Sequence, residues 1–167
     1  MKTITIIILL LLTLSAENTR IEKKQDILYT LKITSNKSNE KYVTSITPPK
    51  GSDFELLDRA FPLQVMASKD FNADKKQDVM LNLGGCGSGG CVYAIFLKQH
   101  TNQYRLAYIE YLHMPEFEKT KNGQWIIKSF EGFRTDEPDE YAVEIYKFNK
   151  TKYIYELDTT YVEKMKK

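Results

Sequence analysis

The sequence predicts a mainly β domain, a single antiparallel meander curled into one sheet or folded into a small sandwich, with one short helix. Three observations lead there. Short runs with apolar residues at alternate positions recur along the chain, as in Tyr29, Leu31 and Ile33, and that period belongs to a half-buried strand. Eleven tyrosines and eight phenylalanines suit strand faces better than helix surfaces. Asn122-Gly123 is the strongest short hairpin signal in the chain; it implies a type I′ turn, which needs both residues at positive φ.

Residues 27–34 alternate and read as a first strand, a polar turn over 35–41 follows, and 42–47 form a second strand. Pro48-Pro49-Lys50-Gly51 breaks it. Ser52 or Asp53 caps a short helix over 54–60, with Glu55 in its first turn and Phe54, Leu57 and Phe61 on its apolar side. Strand returns over 61–68 and delivers the chain to an acidic loop. Val79-Met80-Leu81-Asn82-Leu83 reads as a buried strand. Residues 92–98 and 104–112 form a hairpin around 99–103, and 117–121 pairs with 124–130 across Asn122-Gly123. The stretch 131–139, with two glutamates, two aspartates and a proline, is an exposed loop. Strands over 141–148 and 153–158 turn at Asn149-Lys150.

The domain limits follow. Residues 1–16 place one lysine before an apolar run of about eleven residues, short of the roughly 20 that span a bilayer. That is the pattern of a secretory signal peptide cleaved near Ala16; an uncleaved anchor is the alternative. Residues 17–25 are a flexible lead-in, 26–160 a single β-rich domain and 161–167 a polar tail. The formal net charge of +2 gives no electrostatic reason to expect nucleic acid or an anionic membrane surface. Export means periplasmic or secreted and not integral to the membrane. In an exported chain, Cys86 and Cys91, the only two cysteines, predict one local disulfide.

The densest stretch for chemistry runs over 70–93. Asp70, Asn72, Asp74 and Asp78 fall at positions 1, 3, 5 and 9 of D-x-N-x-D-x-x-x-D, and Lys76 at position 7 can offer its backbone carbonyl. Calcium takes about six to eight oxygens at short range, and alternate residues of a tight loop can supply them. Clustered carboxylates repel unless something positive lies among them. The same residue types also build an Asx-rich surface turn without a metal. The spacing resembles the calcium loops of EF-hand-like proteins and, more closely, the Asp-rich loops of FG-GAP repeats in integrin-type propellers, where the Asp at position 9 precedes a buried strand. The resemblance implies calcium held by Asp70, Asn72, Asp74, Lys76 and Asp78. Leu81 stands where an EF-hand carries its bidentate glutamate, and Lys75 where these loops carry glycine. A non-glycine residue at positive φ costs about 1–2 kcal/mol. The stretch also looks like a group of uncharacterised exported bacterial proteins that join an Asp-rich loop and strand to a glycine-flanked cysteine pair; that likeness implies no activity. A whole propeller is excluded, since one blade takes about 40–45 residues and the Asp pattern occurs once.

The glycine run around the cysteines is no phosphate loop, because no Lys-Ser/Thr follows and no helix opens after it. Its glycines let a small disulfide ring close. Enzyme signals are sparse. The histidines are His100 and His113, no nucleophile elbow or zinc spacing is present, and Glu116/Glu118 and Glu137/Asp139 read as surface pairs. Tyr104, Tyr108 and Tyr111, or Tyr141, Tyr146, Tyr153 and Tyr155, offer a carbohydrate- or peptide-binding face, with cross-strand packing the simpler role. The function expected is an exported, non-catalytic binding or envelope module with a protein or glycan partner. The alternatives are a periplasmic inhibitor or immunity-type protein and, third, a small hydrolase.

Overall fold

The computed structural model describes residues 27–52, 61–131 and 140–164. The signal segment, the lead-in and the helix expected over 54–60 lie outside the described residues, as does the acidic loop apart from Glu131. Among the described residues every regular element is a strand.

Ten strands follow in chain order: β1 (Leu28–Ser35), β2 (Lys41–Thr47), β3 (Leu63–Lys69), β4 (Asp78–Gly87), β5 (Gly90–His100), β6 (Gln103–Leu112), β7 (Glu116–Lys119), β8 (Trp125–Glu131), β9 (Glu140–Asn149) and β10 (Ile154–Lys164). The antiparallel, mainly β reading holds, but the single curled sheet or sandwich does not. β1 to β6 form a closed barrel, and β7 to β10 a separate four-stranded sheet in the order β10-β9-β8-β7. The barrel closes where Leu28, Tyr29 and Thr30 pair with Arg105, Tyr104 and Gln103. That pairing joins strands far apart in sequence, and no local pattern encodes it. Closure removes the free edges that a curled sheet would leave. The seam between β2 and β3 is short, Tyr42 to Gln64 and Val43 to Leu63.

The turns follow from their residue types. Asn36 closes the β1–β2 hairpin by accepting from the amides of Ser38 and Glu40, each at 2.9 Å, and Asn39 takes a φ of 62°; asparagine tolerates that left-handed region better than most residues. At the β7–β8 turn, Gly123 alone has positive φ, 86°. Its amide donates to the Thr120 carbonyl at 3.0 Å, and the Thr120 amide to Gln124 at 2.7 Å. A type I turn ending in a left-handed glycine has replaced the expected type I′ pair. The polar tail expected from 161 is strand as far as Lys164, with Tyr161 opposite Val143 and Lys164 opposite Glu140.

Two clusters form the core. Leu31, Val43, Val79, Leu81, Leu83, Ala94, Phe96 and Tyr104 fill the barrel. Met80, Ile95, Leu97, Ala107, Tyr108 and Leu112, on the outer side of the barrel, meet Ile127 and Tyr155 of the second sheet. β4 and β5 therefore bury both faces, which explains their nearly continuous apolar sequence; a strand covered on both sides loses its alternation. No helix among the described residues is long and apolar enough to cross a membrane.

Candidate functional site

The Asp-rich loop and the cysteine pair are neighbours in sequence and not in space. β4 begins at Asp78 and carries Cys86 near its far end. At about 3.3 Å per residue it holds the two roughly 25 Å apart, at opposite ends of the barrel.

At the loop end, each Asx side chain accepts from a backbone amide. Asp70 takes the amides of Asp74 at 3.0 Å and Lys75 at 2.8 Å, one on each carboxylate oxygen. The Asn72 carbonyl oxygen takes the Asp74 amide at 3.1 Å, and Asp74 takes the Lys76 amide at 2.9 Å. Lys75, at the position where the loops this one resembles carry glycine, sits at φ 67°, and Ala73 at 63°. Asp78 is fully buried. It receives the amides of Phe71 and Lys98 at 2.8 Å each, on different oxygens, and so ties the start of the loop to β5. Burial pushes its carboxyl up to about 7; the two amide bonds pull the other way, and the charges of Asp74 and Asp70 add to the rise.

This arrangement answers whether the residues suit calcium. A cage needs oxygens aimed at one point. Here the Asp78 oxygens are committed to two buried amides, and those of Asp70 and Asp74 cap the loop's own backbone. Among the described residues no group of three or more acidic, histidine or cysteine side chains is positioned to hold a metal ion. As the side chains stand, their oxygens are turned to backbone amides of the loop and of β5. Asp70, Asn72, Asp74 and Asp78 fit a set of nested Asx turns, and Lys76 enters through its amide and through an ion pair with Asp74 at 3.5 Å.

The loop also joins the two sheets. Phe71 is fully buried between them, edge-on to Phe117 and Trp125. Its carbonyl accepts from the Tyr155 hydroxyl at 2.8 Å and the Trp125 amide at 3.2 Å. The Lys69 ammonium lies 3.9 Å from the Trp125 ring centroid, close enough for a cation–π contact.

Three of the tyrosines expected to form a binding face, Tyr108, Tyr146 and Tyr155, pack here. Tyr104, Tyr108 and Tyr155 are buried, and Tyr108 meets Tyr146 and Tyr155 edge to face. Burial drives the phenols of Tyr108, Tyr146 and Tyr155 well above their ordinary range. Tyr141 packs against Phe130, leaving Tyr111 and Tyr153 as the exposed members.

At the other end, Cys86 and Cys91 are bonded, with S–S 2.08 Å. Gly90, at φ 98°, lies against the β6 end: a Cβ there would stand 2.1 Å from the Leu112 carbonyl oxygen. The cystine hairpin thus docks on Leu112, beside exposed Tyr111 and Met114.

The structure brings one serine, histidine and carboxylate together that sequence reasoning missed. Buried Ser129 accepts from the His113 backbone amide at 2.9 Å, and its hydroxyl lies 3.0 Å from Glu131. The His113 ring turns to the Phe130 carbonyl at 2.6 Å. A triad needs the ring nitrogen on the serine oxygen; here the contacts run through the backbone and stitch the end of β6 to β8. His100 ends β5, far along the strand from this group. An open groove of about 370 Å³ lies over the β9–β10 hairpin. Its charges are paired, Lys147 with Asp158 and Glu156 with Lys152, so it carries no charge excess to draw an ion.

No protein-family model matches the chain, and neither the curated proteins nor the solved structures contain a match to it.

Proposed function

We propose that the protein is an exported, non-catalytic binding module that meets a protein partner of the cell envelope through the cystine end of its barrel. One observation carries this reading: a disulfide-closed hairpin is seated on a strand end that exposes two large apolar side chains, Tyr111 and Met114. Disulfides form and persist in oxidising compartments, which supports export. Apolar side chains exposed beside a rigid hairpin supply the kind of anchor that binding surfaces use. The Asp loop serves the module as a strut between barrel and second sheet.

The test is affinity capture from a native envelope extract with wild type and with the double variant Tyr111→Ser/Met114→Ser. A partner retained by wild type and lost by the double variant is the expected result. If that partner is a hydrolase whose activity falls on binding, the module is an inhibitor of the immunity type. Equal capture by both proteins overturns the reading, as does turnover of a hydrolase substrate by the purified protein.

A further inference from the structure

Among the described residues, the second sheet ends in two very different ways. β7 is four residues long and reads Glu-Phe-Glu-Lys, a short charged edge of the kind that discourages a neighbouring strand. β10 is eleven residues long and pairs with β9 alone. A bulge between Leu157 and Thr159 puts Asp158 out of register. Beyond it, Thr159 to Lys164 pairs with β9 residue by residue. Leu157, Tyr161 and Val162 are exposed at 52, 41 and 57 %. A long edge rich in β-branched and apolar residues offers a row of backbone groups to another strand.

We propose that β10 pairs antiparallel with β10 of a second copy of this chain, about a two-fold axis through Tyr161. A second copy fits because the strand is complementary to itself. When an antiparallel pair is symmetric, one self-pairing residue sets every other pair. With Tyr161 opposite Tyr161, Thr160 meets Val162, Thr159 meets Glu163, and Asp158 comes level with the partner's Lys164, at both ends by symmetry. No like charges face each other. Asp158 and Lys164 keep 38 and 81 % of their side chains in solvent. Asp158 already holds Lys147 at 2.7 Å, and Lys164 lies 3.4 Å from Glu140. The pairing therefore alternates positive and negative charge from Lys147 through Asp158 and the partner's Lys164 to the partner's Glu140.

Neighbouring registers are worse. Centred on Thr160, the pairing crosses the bulge and sets Leu157 against Glu163. Centred on Val162, it is shorter, sets Tyr161 against Glu163 and pairs no opposite charges. The favoured register begins at the bulge and runs to Lys164, the last described residue of the strand. A contact this short falls below the roughly 1,200 Å² of a standard interface, so the dimer forms and dissociates with concentration.

The test needs no unidentified ligand, and it is independent of the cystine-end surface. Sedimentation equilibrium of the oxidised wild type over about 10–500 μM should show a monomer–dimer equilibrium. Val162→Lys, which sets two lysines against threonines in the dimer, should weaken it about tenfold with an unchanged circular dichroism spectrum. Single cysteines read the register even if Val162→Lys fails to fold. Under mild oxidation Tyr161→Cys should cross-link to itself. Thr159→Cys and Glu163→Cys should each fail to cross-link alone and cross-link when mixed. A wild type that stays monomeric throughout overturns the proposal. So does cross-linking of Thr159→Cys alone as readily as Tyr161→Cys.

Discussion

The Tyr155 hydroxyl lies 2.8 Å from the Phe71 carbonyl, across 84 residues of chain. It also reaches the Trp125 carbonyl, at 3.1 Å. One phenol from β10 therefore fixes the Asp-loop backbone to the second sheet, and Asp78 fixes the same residue's amide to the barrel. Phe71 is held from both sides, and the loop acts as a joint between two sheets.

Tyr155→Phe tests that joint with little loss of volume. It leaves a buried carbonyl with one partner fewer, and stability should fall by about 1–3 kcal/mol. Urea denaturation should show a lower midpoint with an unchanged slope. An unchanged midpoint would mean that ring packing alone joins the sheets.

Asp78 sets a pH dependence whose sign is opposite to that of an ordinary salt-bridged carboxylate. Its folded pKa is raised to about 7 from 3.8, so the folded chain holds the proton more tightly than the unfolded one. This group's contribution to stability is full below about pH 4, declines as pH rises toward 7 and levels off above it. The span is at most about 4 kcal/mol, at 1.36 kcal/mol per pKa unit. Melting temperatures between pH 4 and 8 should therefore slope downward for wild type relative to Asp78→Asn. Parallel curves for the two proteins would contradict this account.

Calcium should have little effect. Each Asp78 oxygen already accepts one buried amide, from Phe71 or Lys98, so an ion could reach only the remaining lone pairs of a side chain that is fully buried. Ten millimolar calcium should shift the melting temperature by less than about 1 °C. A site with a dissociation constant near 0.1 mM would instead add about 2.7 kcal/mol. A rise of several degrees that disappears in Asp70→Ala would establish the metal and refute the nested-turn reading.

The cystine hairpin gives two independent expectations. Mass spectrometry of exported protein should find no free thiols, and Cys86→Ser/Cys91→Ser should lose about 2 kcal/mol for a ring this small. Gly90→Ala should be worse than the double serine variant. It sets a Cβ 2.1 Å from the Leu112 carbonyl oxygen at a φ of 98°, and backbone cannot yield as a flexible side chain does. If Gly90→Ala melts like wild type, the hairpin is not seated on β6.

The positions of most strands were legible because they depend on local periodicity: Tyr29, Leu31 and Ile33 alternate in the chain as they do in the barrel wall. The local disulfide was legible because a few intervening residues leave the two cysteines little choice. The left-handed backbone at Lys75 was legible through the resemblance to Asp-rich calcium loops, which carry glycine at that position. The extent of β10 was not legible. Its last turn of sequence, Tyr161 to Lys164, is exposed and polar enough to resemble a tail, and β9 alone draws it into strand. The tyrosines read as a face in the linear sequence, yet Tyr104 is core inside the barrel, and Tyr108 and Tyr155 are core because barrel and second sheet meet over them.

The sequence by itself determined that this chain is built of antiparallel strands, where most of them lie, and that Asp70, Asn72, Asp74 and Asp78 shape one tight loop. These properties rest on side-chain period and on hydrogen bonds within a few residues. The tertiary structure alone decided that β1 closes onto β6, that the loop and the cystine stand at opposite ends of a barrel, and that Asp78 is a buried strut. The reason is the reach of the interactions. Closure pairs Tyr29 with Tyr104, and Asp78 meets the amide of Lys98. Such contacts are chosen by which apolar faces find each other when the chain collapses, and a local pattern holds no record of that choice.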